Sequence, residues 1–218
     1  MTFLDFINSL KIISRDYSGG IPKREIFSLA KEFQYMAVSE VVKLLKEENY
    51  DHRLAAVSIL DWKARAKTTT PTEKEAIYLA YIENHKYIDD WGMVDRAAPY
   101  VVGGYLYNRD KKVLYDLAKS KHPMERRTAI VGTYYFIRKN DLEHTFNIAE
   151  ILANDPDEYV QKAVGSWIRE AGKKDEAKLK EFLDKFAHSL PRISLRYAID
   201  KLDPEMRKFY LGLAKQSK

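Results

Sequence analysis

Trp91 and Asp95 lie one helical turn apart in the segment IDDWGMVD, and Arg127 follows in MERRTAI. Residues four apart share a face of a helix, so an indole and a carboxylate would project together. Asp95 and Arg127 fall at the same register of what read as successive helical repeats. A ring, a carboxylate and a guanidinium on one surface suit a polyanion that develops positive charge as it reacts. Nucleic acid is such a substrate. Taken singly, each residue also has a plainer reading. Trp91 fits a partly buried tryptophan beside a surface aspartate, Arg127 fits a solvated side chain, and the Arg126–Arg127 doublet fits a simple phosphate contact.

The elements that must position these residues are helices. VVKLLKEE, HRLAAVSILDWKARA, EAIYLAYI, VDRAAPYVVGGYL, RRTAIVGTYYFIR, VQKAVGSWIREAG and LRYAIDKL carry apolar residues at helical spacing. No alternating strand and no Asn-Gly hairpin stands out. Prolines mark the starts. Thr70-Pro71-Thr72-Glu73 has a capping residue, a proline at the first helical position and a glutamate placed to close a capping box. Asp155-Pro156-Asp157-Glu158 follows the same logic, Asp203-Pro204-Glu205 is a shorter version, and Pro22, Pro123 and Pro191 also precede helical patterns. Asp89 and Asp90 read as an N-cap ahead of Trp91 rather than as a catalytic pair. Gly103-Gly104 fits close helix packing or a helix end.

Small residues align into a repeat. Arg53-Leu54-Ala55-Ala56, Asp95-Arg96-Ala97-Ala98, Arg127-Thr128-Ala129-Ile130, Gln161-Lys162-Ala163-Val164 and Arg196-Tyr197-Ala198-Ile199 superimpose without gaps. The last three spacings, 32, 34 and 35 residues, are those of two-helix repeats. Stacked helix pairs give an α-solenoid whose second helices line one concave face. The expected fold is therefore all-α, a helical-repeat superhelix over residues 1–218 as a single domain, with Arg53, Asp95, Arg127, Gln161 and Arg196 in a row.

Charge and composition narrow the chemistry. The 218 residues hold 37 Lys and Arg against 32 Asp and Glu, and the surplus lies in 101–218, with 23 basic and 17 acidic residues. That asymmetry favours an anionic partner and a basic concave face. The absence of cysteine removes disulfides, thiol nucleophiles and Cys-based metal sites. The five histidines, at 52, 85, 122, 144 and 188, never pair at metal-binding helical spacing, so a zinc-hydrolase motif is absent. No G-x-S-x-G elbow and no phosphate-cradling glycine loop occurs. MTFLDFINSL lacks a basic n-region, and the apolar stretch at 97–107 is too short for a bilayer and broken by Pro99. A soluble, monomeric, cytoplasmic protein with access to the nucleoid is expected, and no membrane partner.

IDDWGMVDRAAPYVVGGYL, HPMERRTAIVGTYYFIRKND and VQKAVGSWIREAGKK, in that order, resemble the bacterial AlkD-like DNA alkylation repair family, helical-repeat DNA glycosylases of HEAT-like architecture. The likeness runs from about Asp51 to Leu211. It implies duplex DNA carrying alkylated bases as partner, and hydrolysis of the N-glycosidic bond of N3-methyladenine and N7-methylguanine at a site that needs no cofactor and no metal. It also implies that Trp91 and Asp95 approach the deoxyribose and that Arg127 contacts the DNA backbone near the lesion. Arg126, Lys162, Arg53 and Arg196 join Arg127 as expected DNA contacts, and Trp167 and Ser166 join them from the third segment.

One departure stands out. The family pattern has a second tryptophan directly after the glycine of the K-A-x-G helix. Here that position is Ser166 and the indole is one residue on, at Trp167. One residue turns a helical side chain by about 100°, which would aim Trp167 at the core. Ser166 therefore leaves open a second reading, a non-catalytic helical-repeat module that binds damaged or branched DNA. A protein-binding scaffold without nucleic acid is a third, which the basic bias disfavours.

Overall fold

The computed structural model describes residues 1–216, with side chains through Leu213. Among the described residues every regular element is helical, and no helix is long and apolar enough to cross a membrane. The chain gathers into two compact units, Met1–Tyr105 and Leu106–Lys218.

The first unit holds α1 (Phe3–Ser14), α2 (Lys23–Glu32), α3 (Val38–Leu45), α4 (Tyr50–Arg65), α5 (Pro71–Glu83) and α6 (Trp91–Ala98), followed by a π-helical turn at Pro99–Gly103; the single turn α7 (Gly104–Leu106) begins in it and ends at the first residue of the second. Helix α4 is the hub: it packs against α2, α3, α5 and α6. Its sequence explains this, because Leu54 through Asp61 are buried without interruption. A helix that is apolar on all sides must be surrounded by others. Asn49 caps its start by accepting from the Asp51 and His52 amides.

The second unit holds α8 (Lys112–Leu117), α9 (Pro123–Gly132), α10 (Tyr134–Ile137), α11 (Glu143–Ile151), α12 (Glu158–Gly172), α13 (Glu176–Phe186), α14 (Arg192–Ala198) and α15 (Pro204–Gln216). Here α12 is the hub, touching α9, α11, α13 and α14. Its approach to α14 is set by Gly165, where a β-carbon would fall 2.4 Å from the Ser194 carbonyl oxygen. The Ser194 hydroxyl donates to the Gln161 carbonyl at 2.9 Å across the same contact.

Prolines open helices as the sequence suggests, with two differences. Thr70 accepts from the Glu73 amide, but the Glu73 carboxylate pairs with Lys63 Nζ at 2.7 Å instead of closing a capping box. The cap of α12 is Asp157, not Asp155, because the Asp155 carboxylate is engaged by Arg126 and by the Asp157 amide. The expected helix through RRTAIVGTYYFIR is interrupted at Thr133, whose hydroxyl bonds the Ile130 carbonyl.

Candidate functional site

Trp91 is the first residue of α6 and Asp95 the fifth. Two anchors fix this short helix against α4. At its start Asp90 caps the Gly92 amide at 2.8 Å, and the Tyr50 hydroxyl of α4 donates to the same carboxylate at 3.1 Å. One residue beyond Asp95, the Arg96 guanidinium turns inward. Its Nε donates to Ser58 Oγ at 3.3 Å, its Nη2 lies 3.4 Å from Asp61 Oδ2, and it stacks between Phe27 and Trp62. With Met93, Val94, Ala97 and Ala98 buried, the remaining face carries Trp91, 42% exposed, and a half-buried Asp95.

Asp61 is fully buried, and burial raises its pKa above the usual carboxylate value against the opposing pull of Arg65 and Arg96. Arg65 Nε bonds Asp61 Oδ1 at 2.8 Å, and its guanidinium lies 3.7 Å from the centre of the Tyr100 ring. Tyr100 belongs to the π-helical turn that follows α6. Pro99 has no N–H to donate to the Asp95 carbonyl four residues back. The chain answers by widening, and the Gly104 amide bonds the Pro99 carbonyl five residues back. Asp95 thus sits one turn ahead of the point where the helix changes period. Pro99 and the two glycines stand out in the sequence but this turn does not, and the only sequence signal for Asp61 and Arg65 is a carboxylate inside an apolar run.

The row of residues aligned by small side chains separates into two registers. Arg53, Arg126 and Gln161 are the fourth residues of α4, α9 and α12. Each reaches back to the carbonyl six positions earlier: Arg53 to Glu47, Arg126 to Ser120, and Gln161 to Asp155. Arg53 also grips Asp89, with Nη2 to Oδ1 at 3.1 Å, and Arg126 grips Asp155. These three side chains fasten the loops ahead of their helices. Asp95, Arg127, Lys162 and Arg196 are the fifth residues of α6, α9, α12 and α14, one step or about 100° further round. Arg127 therefore has its structural counterpart in Lys162, not in Gln161.

The other expected contacts are placed as follows. Arg127 is 5% exposed and its Nη1 donates to the Tyr159 carbonyl. Lys162 pairs with Glu158 at 2.5 Å and lies over the Tyr159 ring. Trp167 donates its indole N–H to the Val131 carbonyl at 3.1 Å, supplying a partner to the last turn of α9, and meets Tyr134 edge-on. Ser166 is half-buried on α12. Arg196 is exposed and lines a cavity of about 560 Å³ together with Arg169, Tyr197, Asp200 and Arg207. Among the described residues no group of three or more His, Asp or Glu side chains is arranged to hold a metal ion.

The all-α helical-repeat fold has a counterpart among solved structures. The X-ray structure of AlkD2 from Streptococcus mutans superimposes with a TM-score of 0.56, covering 91% of this chain and 90% of that one at 19% identity. The sequence itself goes further: residues 11–202 match the family described as DNA alkylation repair enzyme, and the chain belongs to that family. A comparison with curated proteins returns no match.

Proposed function

We propose that this protein is a DNA glycosylase that hydrolyses the N-glycosidic bond of cationic alkylated purines, N3-methyladenine and N7-methylguanine, in duplex DNA. The observation that carries the reading is helix α6 in a chain of the DNA alkylation repair family: an exposed indole at its first residue and a carboxylate one turn on.

The chemistry needs little more. An alkylated purine already carries positive charge, so the bond to C1′ breaks with its electron pair going to the base, which leaves neutral. No general acid is required. The sugar becomes an oxocarbenium-like cation, water adds at C1′, and the water's proton passes to Asp95 or to solvent. Asp95 stabilises the developing charge and orients the water, and Trp91 adds cation–π attraction. The fifth-position cations Arg127, Lys162 and Arg196 are the phosphate contacts of this reading, Arg127 being the most buried of the three at 5% exposed. The reading requires access to chromosomal DNA, as a monomer in a bacterial cytoplasm.

Ser166 supports a second reading, a module that binds damaged or branched DNA without cutting the glycosidic bond. Incubation with methylated duplex separates the two. Release of free 7-methylguanine and 3-methyladenine supports the glycosylase, while salt-sensitive binding without release supports the binding module.

A further inference from the structure

Lys23 opens α2 close to this helix, and the proposed chemistry makes no use of it. Its ammonium lies 6.0 Å from the centre of the Trp91 ring and 5.6 Å from that of Tyr50. A β-carbon placed on Gly92 would be 3.8 Å from Lys23 Nζ and 3.7 Å from the Tyr50 hydroxyl, so the two converge over the start of α6. Neighbouring cations have acidic partners, Arg24 on Glu25 and Lys43 on Glu40. Among the described residues Lys23 has no carboxylate within ion-pair distance; it rests against two aromatic rings and the Tyr50 hydroxyl, which in turn donates to Asp90.

An exposed ammonium on an aromatic face is held weakly. A charge-assisted bond to a phosphate is stronger, and forming it releases a counterion from DNA. The position also matters for the reaction. A bare ammonium beside Trp91 would oppose positive charge developing on a sugar at the same indole, whereas an ammonium neutralised by phosphate would not. A nucleotide supplies both groups at once, its sugar and its phosphates being separated by only a few bonds.

We propose that Lys23 binds a phosphodiester of the strand that passes Trp91, giving up its contact with the indole to do so. The exchange anchors the strand and clears positive charge from the ring. Its consequence for catalysis rests on the glycosylase reading, but the phosphate contact does not.

The test uses undamaged duplex, so no base release is needed. Binding is measured against salt concentration for the wild type, Lys23→Gln and Lys23→Arg. Lys23→Gln is expected to bind about fivefold more weakly at low salt, with the slope of log affinity against log salt reduced by about 0.9. Lys23→Arg is expected to keep both. Lys23 is exposed, so the variants should share the thermal midpoint of the wild type. An unchanged slope in Lys23→Gln would overturn the phosphate contact. Caesium quenching of Trp91 emission, taken as the difference from Trp91→Phe in each background, tests the resting position. Stronger quenching in Lys23→Gln is expected because the repelling ammonium is gone, and equal quenching would overturn the indole contact. If the slope falls while the wild type releases no base from methylated DNA, the glycosylase reading fails and the Lys23 contact stands.

Discussion

Arg126 holds Asp155 through two parallel hydrogen bonds, Nε to Oδ2 at 2.6 Å and Nη2 to Oδ1 at 2.9 Å, while its Nη1 takes the carbonyls of Ser120 and Lys121. All three nitrogens of the guanidinium are thus engaged within the protein. Arg53 makes a similar set through its two terminal nitrogens alone, Nη2 to the Asp89 carboxylate and Nη1 to the Glu47 and Glu48 carbonyls. In each case a fourth-position arginine ties its own helix to the loop before it and to an acidic residue just ahead of the capping aspartate of a later helix, Asp90 of α6 or Asp157 of α12.

Arg126→Ala should therefore act on folding. Removing one partner leaves the nearly buried Asp155 carboxylate without its counter-charge, a loss of about 3 kcal/mol. Urea denaturation should show it directly. The salt slope for DNA binding should stay at the wild-type value, in contrast to Lys23→Gln.

Asp61 gives a pH signature. Burial raises its folded pKa above the ordinary value of 3.8, while its hydrogen bond to Arg65 and the nearby Arg96 charge pull the other way. Between 3.8 and the raised value the folded state binds more protons than the unfolded chain. The Asp61 contribution is then fullest at low pH and is lost as pH rises through that window. Asp61→Asn removes the titration, so its denaturation midpoint should gain on that of the wild type as pH rises above 3.8. The offset that persists at neutral pH reports the lost pairing with Arg65 and Arg96.

Much of the fold is legible in the sequence because its helices are amphipathic or wholly apolar and several start at a proline. Pro71, Pro123 and Pro204 stand at the first helical position, and Pro22 and Pro191 just before it. The register is harder to read. Aligning on small residues set Arg127 against Gln161, because alanines mark where helices touch and not which neighbour reaches a loop carbonyl. The π-helical turn escaped for a related reason: Pro99 signals a missing N–H, and the chain could meet that by kinking, stopping or widening. Lys23 and Trp91 are distant in sequence, and no local pattern joins them.

Gly165 fixes the approach of α12 to α14. In Gly165→Ala the new methyl would meet the Ser194 carbonyl oxygen at 2.4 Å and the Tyr197 β-carbon at 2.7 Å, and backbone cannot step aside as a flexible side chain would. A loss of roughly 3 kcal/mol is expected, read as a lowered thermal midpoint.

Ser166 and Trp167 separate a catalytic indole from a structural one. Trp167→Phe removes the hydrogen bond to the Val131 carbonyl and should lower stability by about 1 kcal/mol while leaving the rate of base release unchanged. Ser166→Trp places an indole directly after the glycine, as the family pattern has it. Under the glycosylase reading a second cation–π contact should raise single-turnover release by about tenfold. Comparison of the two variants under saturating protein checks both expectations.

If Asp95 stabilises a positively charged sugar, as we propose, a single pair of rates will show it. Single-turnover release of 7-methylguanine from methylated duplex is measured for the wild type and Asp95→Asn, with binding to the same duplex measured alongside. The account expects release by the wild type, a drop of at least about a hundredfold in Asp95→Asn, and equal or tighter binding by the variant, as befits loss of a preorganised charge. Equal release rates for the two proteins would contradict it.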